Sequence, residues 1–433
     1  MRQEKERQVD ANKMGSDSLH HPQRLHRAKL LRLVLPLSLL AIGVPIIIYK
    51  LASPFFVTRE HKLFENLERA HPDCDHYDLQ QEVPQFGQHL LCVKENPESY
   101  GSVFVSLIRD SLLNQEEIHQ FSTNPSGNRK DIRDFYEYLR EKLGTKERAI
   151  EFWRTFDSDG NELKTIDALI VKKSFILYTG GTFMWPGIRA GHRRKTQEGY
   201  MMETLSLRPL VFRVENFLTD EECDYTRIQA QKSLTFSVAR EENSLNGVMT
   251  DEKKPEITWR TSLQTFLESH SRPKLQAIDD RVASLTKTSV LLQEDAQVMR
   301  YLQDQFYDMH HDYFDPKYYK DDPGFLIQLK DGRNRLATVF WYLSTVKTGN
   351  GGHTIFPLAN GNTRGPFNIR SCEPQNSMKI QPRRRDVLLF YNLYPDRSLD
   401  ITSLHGACAV TGGNPKWAAN KWIWTDDPED YSF

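Results

Sequence analysis

YLQDQFYDMHHD, residues 301–312, decides how this 433-residue chain is read. Successive side chains on a strand point to opposite faces, so His310 and Asp312 fall on one face and His311 on the other. Farther on, SLHGAC (403–408) places His405 beside a predicted strand. Two histidines and one carboxylate that leave coordination positions open form the facial triad that suits non-haem Fe(II) and O2 chemistry. A lone His-x-Asp carries little weight in a chain with 14 histidines, where a surface turn explains it as well. Lys416-Trp417 adds to it, 11 residues beyond His405 on what should be the next strand. A lysine buried there can pair with the carboxylate of an acidic co-substrate.

Around this stretch the texture is that of a sandwich or barrel, with short alternating segments between turn signals. Strands are expected at 335–344 (RLATVFWYLS) and 386–392 (DVLLFYN), and upstream at Leu210–Val214. Thr219-Asp-Glu-Glu222 is a capping box that starts a helix running to about Lys232. A second amphipathic helix is expected over 273–287, and 236–268 reads as polar and loop-rich. Farther upstream, 107–155 carries apolar residues at helical spacing, while Ala168–Val171 and Phe175–Tyr178 read as two strands. A basic, turn-rich linker, 187–195, follows. Asp157, Asp159 and Asn161 occupy the first, third and fifth positions of a calcium loop. Glu162 and Ala168 stand where its Gly and bidentate Glu belong, so the segment reads as an Asp/Gly turn.

The N-terminal end has a different character. Residues 33–49, LVLPLSLLAIGVPIIIY, are uncharged between Arg32 and Lys50 and read as an uncleaved signal anchor. The first 32 residues carry eight Lys or Arg against four acids, which favours a cytosolic tail and a lumenal bulk. Over the whole chain 57 basic and 58 acidic residues nearly cancel, giving no basic excess directed at nucleic acid. Five cysteines exclude a disulfide-built scaffold, and Cys74 and Cys92 lie close enough in sequence to suggest a bridge.

An ordered set of motifs spans roughly 207–425: Arg260-Thr-Ser, Glu294-x-x-Gln-Val, Arg300-Tyr301, Gln305-x-Tyr307-x-x-His310-x-Asp312, Gly351-Gly352, Thr354, Phe356-Pro357, Phe390-Tyr-Asn, His405 and Lys416-Trp417-x-x-Asn-Lys-Trp422. In this set the chain resembles the prolyl 4-hydroxylase alpha-subunit family of Fe(II)/2-oxoglutarate dioxygenases, most of all the transmembrane branch. The resemblance implies an α+β protein whose C-terminal domain is a double-stranded β-helix (jelly-roll) with flanking helices. It implies Fe(II) bound by His310, Asp312 and His405, and 2-oxoglutarate held by Lys416 with Tyr301 and Thr354. Tyr307, Arg335 and Trp422 match positions on the peptide-substrate side. O2 as second co-substrate and L-ascorbate as reductant follow from the same resemblance. Four departures stand out: Pro415 lengthens the His-to-Lys spacing by one, Asp304 replaces a Gly before Gln305, His353 stands where many relatives have an acid or small residue, and Trp424 replaces a His found in some members.

The expected organisation is a cytosolic tail (1–32), a transmembrane anchor (33–49), a lumenal mixed α/β region (50–200, a polar stalk to about 100) and a catalytic domain (205–433). The expected activity is hydroxylation of peptidyl proline at the endoplasmic reticulum membrane, in a single-pass type II topology. Its partners are a proline-containing protein or peptide and the bilayer, with no nucleic acid; oligomeric state is left open. Two rival readings stay open: an oxygenase acting on another residue or a non-peptide, and a catalytically silent membrane binding module.

Overall fold

The computed structural model describes residues 84–95, 102–110, 118–122, 131–143, 149–236, 260–362 and 367–425. The tail, the expected anchor at 33–49 and Cys74 lie outside them. Among the described residues no helix is long and apolar enough to cross a membrane.

The first part is an antiparallel sheet of β1 (Gln88–Glu95), β2 (Ser102–Asp110), β3 (Ile118–Ser122), β4 (Arg154–Phe156) and β5 (Ser174–Tyr178), in the order β3-β2-β1-β5-β4. Helices α1 (Ile132–Leu143) and α2 (Ile166–Lys172) accompany it. Three expectations are corrected here. The segment 88–95 is the central strand of a sheet, not a polar stalk. The helical reading of 107–155 holds for α1, but Leu107 and Ile108 belong to β2, whose alternate residues Val103 and Val105 are buried against α1. Ala168–Val171 is helix rather than strand, because the Thr165 hydroxyl accepts from the Ala168 amide and caps the first turn. Four apolar residues in a row carry no period of their own, so the cap decides.

Strands β1 and β5 are buried on both faces. Leu91, Val93, Phe175 and Leu177 meet α1, while Leu90, Ile176 and Tyr178 join the core of the larger part. That part contains β6 (Arg193–Lys195), β7 (Met201–Leu207), β8 (Leu210–Val214), β9 (Thr235–Phe236), β10 (Leu263–Leu267), β11 (Ala296–Tyr301), β12 (Tyr307–His310), β13 (Arg335–Tyr342), β14 (Thr354–Phe356), β15 (Met378–Ile380), β16 (Val387–Tyr391), β17 (His405–Ala407) and β18 (Lys416–Trp424). Nine of them form one sheet, β6-β7-β8-β16-β13-β18-β11-β10-β9, and four form another, β12-β17-β14-β15. These antiparallel sheets make up the jelly-roll arrangement. The larger sheet recruits 193–195 and 201–207, upstream of the expected domain start at 205, and β10 lies inside the stretch expected to be loop.

Strand alternation sorts the side chains of the large sheet. Val339, Trp341, Leu389, Ala419 and Ile423 pack outward against α3 (Asp220–Gln231) and α4 (Pro273–Thr286). The expected capping box closes α3: the Thr219 hydroxyl accepts from the Glu222 amide and the Glu222 carboxylate accepts from the Thr219 amide. Glu222 also takes a two-pronged bond from Arg281, joining α3 to α4. The opposite face, with Tyr301, Phe340, Tyr342, Phe390 and Ala418, turns toward the small sheet and forms a second core. The candidate residues lie on this inner face.

Candidate active site

The pairing of β12 with β17 sets His310 directly opposite His405, with ring centroids 4.4 Å apart. Asp312 lies two residues past the end of β12, and its carboxylate oxygens are each 3.6 Å from one imidazole: Oδ1 from His310 Nε2 and Oδ2 from His405 Nε2. All three side chains are buried, and their ligand atoms lie within 4.8 Å of one another. His311 turns away, as the alternation requires, and donates from Nε2 to the Ile401 carbonyl.

The surroundings fix the proton positions. His310 Nδ1 is 2.7 Å from the Asp308 carbonyl and His405 Nδ1 is 2.9 Å from that of Ser403. A carbonyl only accepts, so each Nδ1 carries the proton and each Nε2 presents its lone pair to the centre. Burial and the neighbouring His405 push His310 down to about 3, which keeps it neutral. Burial works to raise Asp312, but His405, His310, Arg335 and Thr338 outweigh it and hold the carboxyl below its usual range. Thr338 donates to Asp312 Oδ2 at 2.7 Å and accepts from the Asn392 amide at 3.1 Å. The result is two imidazole Nε2 atoms and one carboxylate, preset on one side of a point, which is the donor set of a divalent-metal site.

Across the same inner face, β11 and β18 pair so that Tyr301 stands opposite Lys416. The Lys416 ammonium is wholly buried and has no hydrogen-bond partner among the described residues. Its nitrogen lies 5.2 Å from the centre of the Tyr301 ring and 5.7 Å from that of Phe340. Burial alone pushes it down to about 7. An orphaned cation of this kind is rare unless a ligand supplies the anion. Thr354, on β14, accepts from the Tyr342 hydroxyl at 2.8 Å. The extra Pro415 is absorbed in the turn before β18, where its carbonyl accepts from Ser344, so Lys416 keeps its register.

Residues 296–424 match the family described as the 2OG-Fe(II) oxygenase superfamily. Prolyl 4-hydroxylase 5 of Arabidopsis thaliana is 36% identical over 224 residues, covering 51% of this chain and 70% of the relative. The probable prolyl 4-hydroxylase 10 of the same plant is 35% identical over 237 residues, 54% of this chain and 75% of the relative. The chain belongs to the prolyl 4-hydroxylase family of Fe(II)- and 2-oxoglutarate-dependent oxygenases. Among solved structures, the viral collagen prolyl hydroxylase of Paramecium Bursaria Chlorella virus-1 in its 2OG complex is 24% identical, covering 50% of this chain and 96% of its own, with a TM-score of 0.35.

The remaining candidates of this oxygenase lie nearby. The Tyr307 ring stacks on His310 at 3.7 Å, and the Arg260 guanidinium covers its other side at 4.3 Å. Arg335 and Trp422 are brought together, the guanidinium 3.7 Å from the indole. Arg335 is not a free surface charge: Glu294 takes two bonds from it, at 2.5 and 2.7 Å, and Phe314 closes over it at 4.6 Å. Trp424, the departure from the family pattern, donates to the same Glu294 at 2.7 Å and stacks on Phe314. The Trp422 indole nitrogen is buried without a partner among the described residues.

Sequence reasoning assigned no role to Thr338, Asn392, Phe314 or Glu294. Thr338 was findable, since it is in phase with Phe340 and Tyr342 on the inner face; Phe314 was not, because it sits in a segment without period. The Asp157 carboxylate accepts from Lys172 and from both the backbone and side-chain amides of Asn161, so the turn closes on its own chain. A disulfide the sequence did not announce joins Cys372 to Cys408, three residues past His405, and Cys223 is free and buried.

Proposed function

We propose that this oxygenase hydroxylates peptidyl proline at carbon 4, anchored by residues 33–49 in the endoplasmic reticulum membrane with its catalytic domain in the lumen. The observation that carries the reading is the conjunction on one inner face of a buried His310–Asp312–His405 triad and the orphaned Lys416 ammonium. The triad would hold Fe(II) through the two Nε2 atoms and the Asp312 carboxylate. Lys416 would take the distal carboxylate of 2-oxoglutarate, with Tyr301 and Thr354 beside it. Tyr307, Arg335 and Trp422 would line the peptide side. When bound, Fe(II) with 2-oxoglutarate and O2 supplies oxidative decarboxylation to succinate and CO2 with transfer of one oxygen atom to the substrate carbon. L-ascorbate would return oxidised iron to the ferrous state.

The residues of the chain do the positioning. The Asp308 and Ser403 carbonyls hold both imidazoles in the ligating tautomer, and Thr338 fixes the Asp312 carboxylate. Lys416 supplies a charge whose counter-ion arrives only with the co-substrate. Phe356, Phe390 and Tyr342 surround the centre with apolar surface that excludes water. Arg335, held between Trp422 and Phe314 and neutralised by Glu294, offers a flat wall of aromatic edges rather than an exposed charge. The Cys372–Cys408 disulfide supports an oxidising compartment.

The test uses the full chain in detergent with Fe(II), ascorbate, 2-oxoglutarate and proline-containing peptides, reading succinate and a one-oxygen mass gain, with His310→Ala as control. Oxygen on proline, lost in the variant, is the expected result. Succinate with the oxygen on another residue or on no peptide moves the reading to an oxygenase of different substrate. Neither signal, in folded and iron-loaded protein, moves it to a silent binding module.

A further inference from the structure

The loop between β16 and β17 reaches the metal site from both of its ends. At its start, Asn392 donates to Thr338, which donates to Asp312. At its end, the Ser403 carbonyl holds His405 Nδ1. Between them the loop is closed on itself. The Asp400 amide donates to the Asn392 carbonyl at 3.0 Å, its carboxylate accepts from the Thr402 amide and hydroxyl, and its carbonyl accepts from the Ser403 hydroxyl. Ile401 contributes the carbonyl that takes His311 Nε2. A displacement of this loop therefore moves the hydrogen-bond partner of His405 and, through Asn392, the hold on Thr338, the partner of Asp312.

The tip of the loop, Tyr394–Ser398, is held by the five-stranded sheet rather than by the jelly roll. The Asp396 amide donates to the Phe86 carbonyl at 3.2 Å, and the Phe86 and Tyr394 rings meet edge to face at 5.1 Å. Arg397, buried, donates from Nε to the Gly180 carbonyl at 2.7 Å. The approach leaves no room for side chains. A Cβ on Gly180 would lie 2.0 Å from the Pro395 carbonyl oxygen, and one on Gly87, at φ +83°, would lie 2.5 Å from the Asp396 nitrogen. Both glycines end strands of that sheet, Gly87 entering β1 and Gly180 leaving β5. Arg397 itself adopts a positive φ of 68°, a conformation that a non-glycine residue keeps only where its surroundings impose it.

We infer that the N-terminal sheet is a brace for the metal centre: Gly180 and Arg397 are positioning residues that set divalent-metal affinity by fixing the 393–404 loop, and through it His405 and Asp312. The inference rests on the metal-site reading above. Close-packed interiors transmit small displacements rather than absorbing them, and outer partners of ligating side chains contribute roughly 10- to 100-fold in metal affinity. A brace two contacts removed falls near the lower figure.

The experiment is a Co(II) titration of the metal-free full chain, followed by the visible absorption of the bound ion, alongside a thermal melt of the metal-free protein. Gly180→Ala and Arg397→Met should each weaken Co(II) binding about tenfold, with an altered Co(II) spectrum, and Arg397→Lys should recover part of the loss. Leu169→Ala, which opens a cavity where α2 packs on the same sheet without touching the loop, should lower the melting temperature and leave Co(II) affinity and spectrum unchanged. Grip variants that bind Co(II) as the parent does, or that lose affinity only as Leu169→Ala also does, overturn the brace. If Gly180→Ala fails to fold, Arg397→Met decides alone. His310→Ala separates the two questions: if it binds Co(II) like the parent, the metal-site reading fails, whatever the brace variants do.

Discussion

Replacing Lys416 by Met keeps the length and apolar stem of the side chain and removes only the charge. In the metal-free, co-substrate-free protein that charge is buried without a counter-ion among the described residues, and burial alone drives it down to about 7. The gap from the ordinary 10.4, at 1.36 kcal/mol per pH unit, comes to on the order of 4 kcal/mol of lost stability at pH 7. Because the folded value lies below the unfolded one, the unfolded chain binds more protons between pH 7 and about 10.4, and stability rises with pH across that window. Lys416→Met should therefore be more stable than the parent in urea at pH 7, by an amount that shrinks as pH approaches 10. The same variant should lose co-substrate. Removing one member of a buried charge pair costs about 2–5 kcal/mol, which is about 30-fold or more in the dissociation constant. In the parent, a bound dicarboxylate restores the proton to the ammonium, so binding at pH 8 should take up close to one proton. Calorimetry in buffers of different ionisation enthalpy measures that uptake directly. A Lys416→Met protein that is less stable at pH 7 and binds 2-oxoglutarate within about threefold of the parent would refute the assignment of Lys416 as the orphan cation of the co-substrate site.

Four further perturbations follow from the same geometry. Thr338→Val removes the hydrogen bond to Asp312 and should weaken Co(II) binding about 10- to 100-fold, while Thr338→Ser stays near the parent. Glu294→Ala frees Arg335 and Trp424 together; KM for peptide should change while succinate release without peptide and Co(II) affinity stay as in the parent. The Cys372→Ala/Cys408→Ala pair releases a crosslink spanning 36 residues, and loop entropy predicts a loss of about 4 kcal/mol in chemical denaturation. His310, held near 3 against an ordinary 6.5, contributes stability that falls as pH drops from 6.5 toward 3, since the unfolded chain takes up the proton first; His310→Ala should flatten the acid limb of the metal-free stability curve.

What could be read from the sequence, and what could not, divides along physical lines. The inner face of the jelly roll was legible because a period of two leaves no choice: once His310 and Asp312 share a face, register places His405 opposite and Lys416 across from Tyr301. The helix at Asp220 was legible from its capping box, whose two bonds are local. The N-terminal sheet was misread because its evidence is non-local. Nothing within Gln88–Glu95 says that β5, some 80 residues on, will cover one edge and β2 the other, and Ala168–Val171 looks like a strand until the Thr165 cap is weighed. The Asp157 turn failed as a calcium loop at the two positions that differ, and Lys172 from α2 occupies the carboxylate that a cation would need.

The departures from the family pattern bear on substrate more than on catalysis. Pro415 lies in the turn before β18 and leaves the Lys416 register intact, so the lengthened spacing reaches neither the triad nor the ammonium. Trp424 is different. It donates to a Glu294 that already holds Arg335, and it stacks on Phe314, so the proposed peptide side is built from two indoles and a phenyl ring around one neutralised guanidinium. Such a wall gains from flat, weakly polar surfaces such as a proline ring and its flanking amides, and offers no net charge to an acidic or basic neighbour. Returning Trp424 to His removes the stacking area while keeping a donor for Glu294. It should therefore raise KM for peptides with apolar residues beside the target proline far more than for the same peptides with charged residues there, with kcat near the parent. Equal effects on both peptide sets would mean that Trp424 serves only to hold Glu294 in place.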